Sequence, residues 1–328
     1  MLRNGELRFR ETPHGEKMNK LKAAVIGVGY LGRFHAEKYL NNPAVELVGL
    51  SDANLEQLKK VGTELKVTTF PDPQSLIGQV DAVTIAASTQ AHFELGKLFL
   101  NSGIAVNLEK PLAATLSQAR ELVELAQRKK TLLCTGHIER FNPSLRHLKS
   151  LLKTPLHLDL IRHTGFRARG ADVSVLHDLL IHDLDLIHWL TGSEVVSLKA
   201  AAVKVLQPTW DAVEVWMELA NGAQAHLTAS RVSSVPRRQV RVLQASEVIT
   251  VDSSQGSLEV VSKTGKAEEP LKFQNLQVEK ADALQAETDA FVNAAMGRAE
   301  PAVTGADGLR VLELIEKIES LVAAGPCP

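Results

Sequence analysis

Between Leu21 and Thr135, short apolar runs alternate with longer stretches whose hydrophobic residues recur every three or four positions. The runs predict strands at Lys22–Gly27, Val45–Leu50, Asp81–Ala86, Ile104–Leu108 and Thr131–Thr135. The stretches between them predict helices at Leu31–Asn41, Leu55–Thr63, Ala91–Ser102 and Leu116–Lys129. Strands alternating with helices make a parallel sheet covered on both faces. Gly103 stands where a helix ends, and Asn142-Pro143 closes this first unit. Ligands of such sheets bind beyond the carboxyl ends of the strands, which singles out the loops starting at Gly27, Asp52, Ala87, Glu109 and Gly136.

The second half reads differently. One helix, Asp178–Leu190, precedes strands at Val195–Leu206, Ala212–Leu219, Ala223–Ser230, Gln239–Gln244 and Val248–Val251, with a hairpin signal at Asn221-Gly222. Strands joined by short turns make a largely antiparallel open sheet, and its uncovered face has to pack on something. A homodimer or homotetramer through this sheet is the expectation. Helices at Asp282–Met296 and Asp307–Ala323 end the pattern, while residues 1–20 are charged and aperiodic and read as a flexible extension.

Composition narrows the class. With 328 residues, 45% hydrophobic and 23% charged, the chain can bury two sizeable cores. A net charge of −1 argues against a nucleic-acid or bilayer partner. Two cysteines, Cys134 and Cys327, form neither a disulfide framework nor a metal knuckle. No apolar stretch approaches the ~18 residues of a membrane span and the first residues lack a signal-peptide core, so a cytoplasmic location is expected.

Gly27-Val28-Gly29-Tyr30-Leu31-Gly32 lies between the first strand and the first helix. Three glycines there permit a tight turn and bring bare backbone against a pyrophosphate, which sits on the positive end of the helix. Asp52 follows 20 residues beyond Gly32, where a carboxylate accepts ribose hydroxyls and repels a 2′-phosphate. These features predict an α/β Rossmann domain, a doubly wound parallel sheet over 21–142, that binds NAD in preference to NADP. An α+β substrate domain follows over 143–328. Arg33 and Ser51 leave NADP open, and Asp52 could instead cap the helix starting near Asn54.

Two constellations carry candidate chemistry. Glu109-Lys110-Pro111 puts a lysine at the carboxyl end of a strand, on the cofactor side, with proline fixing the turn. A desolvated lysine beside an oxidised nicotinamide is a candidate proton acceptor, although the tripeptide is also a common structural loop. In the second half, Asp178, His182 and Asp185 fall within a stripe about 60° wide on one face of a helix. Leucines and isoleucines cover the rest of that helix, so the stripe is buried and needs partners: a substrate hydroxyl, Lys110, a divalent metal or internal salt bridges. His177 points away from it, which disfavours a metal.

The glycine loop, Asp52, Glu109-Lys110-Pro111, Gly136-His137-Ile138-Glu139-Arg140-Phe141-Asn142-Pro143 and the Asp178…His182…Asp185 helix together resemble the glucose-fructose oxidoreductase / inositol dehydrogenase (Gfo/Idh/MocA) family over nearly the whole chain. The resemblance implies hydride transfer from a hydroxyl-bearing sugar carbon to NAD. Lys110 and His182 would flank that carbon, with Asp178 orienting them and the roles of amine and imidazole exchangeable. It implies that Gly27, Gly29, Tyr30, Leu31, Gly32, Asp52, Ser88, Thr89, His92, Glu109 and Lys110 hold the cofactor. Substrate would meet Arg140, Arg167, Asp178, His182 and Arg231, without a metal.

Asp172-Val173-Ser174-Val175 stands where many members carry a glycine pair, which weakens a monosaccharide or inositol assignment. The Arg162…Gly165-Phe166-Arg167…Arg169 and Thr228–Ser233 segments look like the branch resembling UDP-N-acetylglucosamine 3-dehydrogenases. Residues 161–170 hold three arginines and no acid, and 231–241 hold four and no acid. Guanidinium forks suit a diphosphate, although solvated loops or a subunit contact give the same charge pattern. Three rivals remain: a catalytically silent dinucleotide sensor of the same fold, a dehydrogenase of a free monosaccharide or inositol, and a metal-assisted lyase or hydrolase using Asp178, His182 and Asp185.

Overall fold

The computed structural model describes residues 20–166 and 173–325. Strands β1 (Leu21–Ile26), β2 (Val45–Ser51), β3 (Ala82–Ile85), β4 (Ala105–Leu108) and β5 (Leu133–Thr135) pair in parallel in the order β2-β1-β3-β4-β5. Helices α1 (Tyr30–Asn41), α2 (Leu55–Leu65), α3 (Thr89–Asn101) and α4 (Leu116–Lys129) connect them. Every residue of β3, β4 and β5 is buried, with one polar residue in each (Thr84, Asn107 and Thr135), which is why these strands read as largely apolar runs. The Rossmann architecture expected from the alternation is present.

After α5 (Pro143–Leu151), the chain builds an eight-stranded sheet from β6 (Pro155–His163), β7 (Val195–Val203), β8 (Ala212–Leu219), β9 (Gln224–Ser230), β10 (Arg237–Gln244), β11 (Glu247–Asp252), β12 (Ser257–Lys263) and β13 (Leu271–Gln277). Its order is β13-β12-β11-β10-β6-β9-β8-β7, antiparallel except where β6 pairs with β9. On β8, Val213, Val215 and Met217 face the core while Glu214 and Trp216 alternate outward.

The sequence pattern does not disclose α5, β6, β12 or β13, and two expected elements differ. β7 stops at Val203 rather than Leu206 because the N–H groups of Val205, Leu206 and Gln207 donate to the Asp211 carboxylate, at 2.7, 2.6 and 3.0 Å, and turn the strand away. The helix expected at Asp178–Leu190 opens as a π turn, Leu176–Leu180, and becomes regular only in α6 (Ile181–Thr191), which ends at Gly192 with φ +63°.

The last two helices return to the first sheet. α7 (Ala283–Ala295) lies against α1, and α8 (Gly305–Ala323) packs on α4, α6 and β7. Phe291 and Val292 of α7 therefore share a core with Ala23 and Val25 of β1. Among the described residues no helix is long and apolar enough to cross a membrane.

Candidate active site

The glycine turn is fixed by sterics. Gly27 adopts φ +83°, and a Cβ there would lie 2.4 Å from the backbone nitrogen of Ala87, while one on Gly32 would lie 1.7 Å from the Gly27 carbonyl. Gly29 has nothing within 4 Å of such an atom, and it begins α1 without any side-chain cap. The first N–H groups of α1 thus open toward solvent past exposed Gly29, Tyr30 and Leu31, the arrangement a pyrophosphate requires.

Asp52 accepts the Val28 N–H at 2.7 Å and the Asn54 N–H at 2.7 Å, so it braces the glycine turn. The cap of α2 is Asn54, which accepts from Glu56 and Gln57. The cradle fits a dinucleotide: a turn that excludes side chains, an uncapped helix N-terminus and a carboxylate at the end of β2.

Lys110 follows β4, and its bond to Pro111 is cis. Its Nζ donates to the backbone carbonyl of Asp178 at 3.0 Å and lies 3.5 Å from the Asp178 carboxylate. Amine and helix, drawn from the two sheets' separate segments, meet here. His182, one turn further along, lines with Asp178 a cavity of about 450 Å³ whose wall also includes Tyr30 and Leu31 at the start of α1. Burial pushes the His182 imidazole well below its usual range, and the positive charges of Lys110, Arg162 and Arg238 add to the shift. His182 is therefore neutral at pH 7, and its Nδ1 has no hydrogen-bond partner.

Asp185 does not join Asp178 and His182 at the cavity. It is buried against Arg140, whose Nε and Nη2 donate to its two oxygens at 2.8 and 2.6 Å. Arg140 also lies 3.2 Å from Asp307, so the guanidinium expected at the substrate is 7% exposed and held by two carboxylates. An unpaired buried charge would be costly, which explains why both acids are recruited.

Three arginines border the cavity and differ in freedom. Arg162 is buried between Asp183 and Glu139, each 2.7 Å away. Arg231 is buried too, donating to Asp211 at 2.7 Å, the Val173 carbonyl at 2.6 Å and Thr209 at 2.7 Å. Arg238 has a half-exposed side chain and a loose 3.8 Å pair with Glu139. Arg167, expected to touch substrate, lies outside the described residues.

Ser88 and Thr89 sit at the start of α3, the former exposed and the latter half-buried. His92 is buried with one ring nitrogen 2.9 Å from the Pro111 carbonyl and the other 3.1 Å from that of Ala87, so it clamps the Lys110-Pro111 loop to α3. The Glu109 carboxylate turns inward to His35 at 2.7 Å. Pattern reading missed His137, buried with neither ring nitrogen hydrogen-bonded, and Arg238. Of these, Arg238 had a signal, the acid-free run 231–241.

A glycine turn shaped for a pyrophosphate, with Tyr30 and Leu31 at its helix start lining the same cavity as Asp178 and His182, is the arrangement of a dinucleotide-dependent oxidoreductase. The chain belongs to the Gfo/Idh/MocA family: residues 21–137 match the model of the oxidoreductase family with an NAD-binding Rossmann fold, and residues 145–259 match the Gfo/Idh/MocA C-terminal domain. It is 34% identical to the UDP-N-acetylglucosamine 3-dehydrogenase of Acidithiobacillus ferrooxidans, over 94% of this chain and 99% of that one. The solved structure of that enzyme superposes with a TM-score of 0.87, covering 93% of this chain and 98% of the other. An inositol 2-dehydrogenase of Rhizobium meliloti is 24% identical over 92% of this chain and 97% of its own length.

Proposed function

We propose that this enzyme oxidises a secondary hydroxyl of a nucleotide-linked sugar, with the 3-hydroxyl of UDP-N-acetylglucosamine as the favoured substrate. The observation that carries the reading is the Lys110–Asp178 contact, which brings the amine to the residue one helical turn before His182, and Asp178 and His182 line one cavity. NAD, when bound, accepts the hydride leaving the substrate carbon. His182 takes the hydroxyl proton as the C–H bond breaks, and Lys110 donates a hydrogen bond to the substrate oxygen, assisted by Asp178. Gly27, Gly29 and Gly32 seat the cofactor, and Tyr30 and Leu31 close the cavity beside it.

Arg238 supports the diphosphate. Its guanidinium is half-exposed at the cavity, whereas Arg162 and Arg231 are saturated by buried partners. The 34% identical relative named for a UDP-linked sugar points the same way. Reduced-nicotinamide absorbance after adding NAD with UDP-linked sugars, free monosaccharides or inositols tests the reading. A response confined to UDP-linked sugars is expected; reaction with free sugars or inositols alone would transfer the assignment to that class.

The outward face of the eight-stranded sheet carries Trp216, 47% exposed and stacked on His226 at 5.1 Å. We propose that a second copy of the chain covers this face. Sedimentation of Trp216→Glu as a monomer, against an oligomeric parent, is the expected result; a monomeric parent would refute it.

A further inference from the structure

Next to Lys110, and not among the residues that line the cavity, three ionisable residues from distant segments meet in the core. His35 of α1, Glu109 at the end of β4 and Glu287 of α7 are 0%, 9% and 4% exposed, and their polar atoms lie within 4.8 Å of one another. His35 Nε2 is 2.7 Å from Glu109 Oε1, and the other Glu109 oxygen accepts the Lys110 backbone N–H at 3.2 Å. Gly136 leaves room for this carboxylate, since a Cβ there would fall 2.9 Å from it. Neither Glu287 oxygen has a hydrogen-bond partner of ordinary geometry, although the Asn107 side chain stands beside them.

Two buried carboxylates this close cannot both be charged at tolerable cost. Burial and the Glu109 charge push the Glu287 carboxyl up to about 8, so it is neutral at pH 7. Burial opposes charge on His35, but its bond to Glu109 outweighs that and raises its pKa; burial likewise opposes the Glu109 anion, and His35 outweighs it. Tyr39 and Cys134, the other titratable groups facing Glu287, are both shifted upward and stay neutral. One anion, one cation and one neutral acid thus fill the cluster.

We infer that His35 and Glu287 are positioning residues: His35 through its bond to Glu109, and Glu287 packed beside that carboxylate, fix it under the Lys110 N–H and so lock the catalytic loop to the cofactor helix α1. The inference rests on the hydride-transfer role proposed for Lys110. Ionising Glu287 sets a second negative charge against Glu109, loosens its grip on the Lys110 amide and detunes the loop without touching substrate.

The test compares the full-length protein with Glu287→Gln, Glu287→Ala and His35→Gln, reading kcat and KM against pH together with hydrogen exchange at the Lys110 amide. The parent is expected to lose kcat as pH rises through about 8. Glu287→Gln, neutral at every pH, removes that alkaline limb. Glu287→Ala and His35→Gln lower kcat by about 10- to 100-fold with little change in KM, because loop placement and not affinity is lost. They also speed exchange at Lys110 by about tenfold or more. An alkaline limb that persists unchanged in Glu287→Gln overturns the inference, as does an equimolar divalent cation found by elemental analysis to be held by these three residues. If the parent oxidises no sugar, the hydride-transfer reading fails, and amide exchange still decides the loop: unchanged protection in His35→Gln and Glu287→Gln at pH 7 and 9 sinks the positioning role. Should Glu287→Ala not fold, the pH profile of Glu287→Gln carries the comparison.

Discussion

Lys110 Nζ lies 3.0 Å from the carbonyl oxygen of Asp178, a hydrogen bond spanning 68 residues of chain that ties the end of β4 to the π turn ahead of α6. It brings the one strongly basic side chain of the Glu-Lys-Pro loop to the helix that carries His182. The loop after β4 and the helix that carries His182 are thus registered by a contact made by the lysine side chain itself.

Lys110→Ala and His182→Ala should each lower kcat by about 10²–10⁴-fold, the usual contribution of a positioned proton-transfer group, while NAD affinity stays within a few-fold of the parent. Because His182 is held neutral by burial and neighbouring cations, the parent's kcat/KM should not fall through the ordinary imidazole range near pH 6.5. Stopped-flow pH profiles check both. A Lys110→Ala enzyme with unchanged turnover would remove the amine from the mechanism.

The cavity arginines should separate cleanly. Arg238→Ala removes a half-exposed guanidinium; loss of one charge-assisted hydrogen bond, about 1.5–3 kcal/mol, should raise KM for a UDP-linked sugar roughly tenfold or more while leaving stability nearly untouched. Arg162→Ala leaves Asp183 and Glu139 buried without their cation and should cost about 3–5 kcal/mol of folding free energy. Thermal unfolding and steady-state kinetics on both variants distinguish a ligand-binding arginine from a structural one.

The first sheet was legible because its central strands are buried on both faces and leave largely apolar runs. β6 was not: its inner face runs Leu158, Leu160 and then Arg162, so the two-residue period is broken by a charge whose burial depends on Asp183 and Glu139 elsewhere in the fold. β13 is exposed at every position and offers no period. At the site, Lys110 and His182 stood out by spacing, whereas the partnering of Arg140 with Asp185, and of Arg231 with Asp211, depends on tertiary placement that no local pattern encodes. His35 and Glu287 are hidden for the same reason; each sits singly in an amphipathic helix, and only α1 packing on α7 makes them neighbours.

Acid should weaken the Asp307 corner. Burial favours the protonated acid there, but the Arg140 guanidinium and the Thr304 N–H and hydroxyl outweigh it and hold the carboxyl at about 2, against 3.8 in the unfolded chain. The folded pKa is depressed, so this stabilisation is present above pH 4 and is lost as pH falls from about 4 toward 2. Its size, reduced for partial solvent screening, is about 1–2 kcal/mol. Asp307→Asn should lower stability at pH 7 and narrow its gap to the parent below pH 3, measured by urea unfolding across pH. A gap independent of pH would show that the carboxylate charge contributes nothing.

The glycine turn offers the sharpest contrast, because two of its residues are required for different reasons. In Gly32→Ala the new Cβ would fall 1.7 Å from the Gly27 carbonyl, so the turn cannot close and both melting temperature and NAD affinity should drop. Gly29 has φ −65°, which alanine adopts freely, and no atom within 4 Å of its added Cβ. Gly29→Ala should therefore melt like the parent. Its methyl group nonetheless stands at the uncapped start of α1, where the pyrophosphate must approach bare backbone, and NAD affinity should weaken by about tenfold or more. Calorimetric titration with NAD alongside thermal melts separates the two effects. A Gly29→Ala protein that binds NAD as tightly as the parent would mean that the dinucleotide does not cross the end of α1.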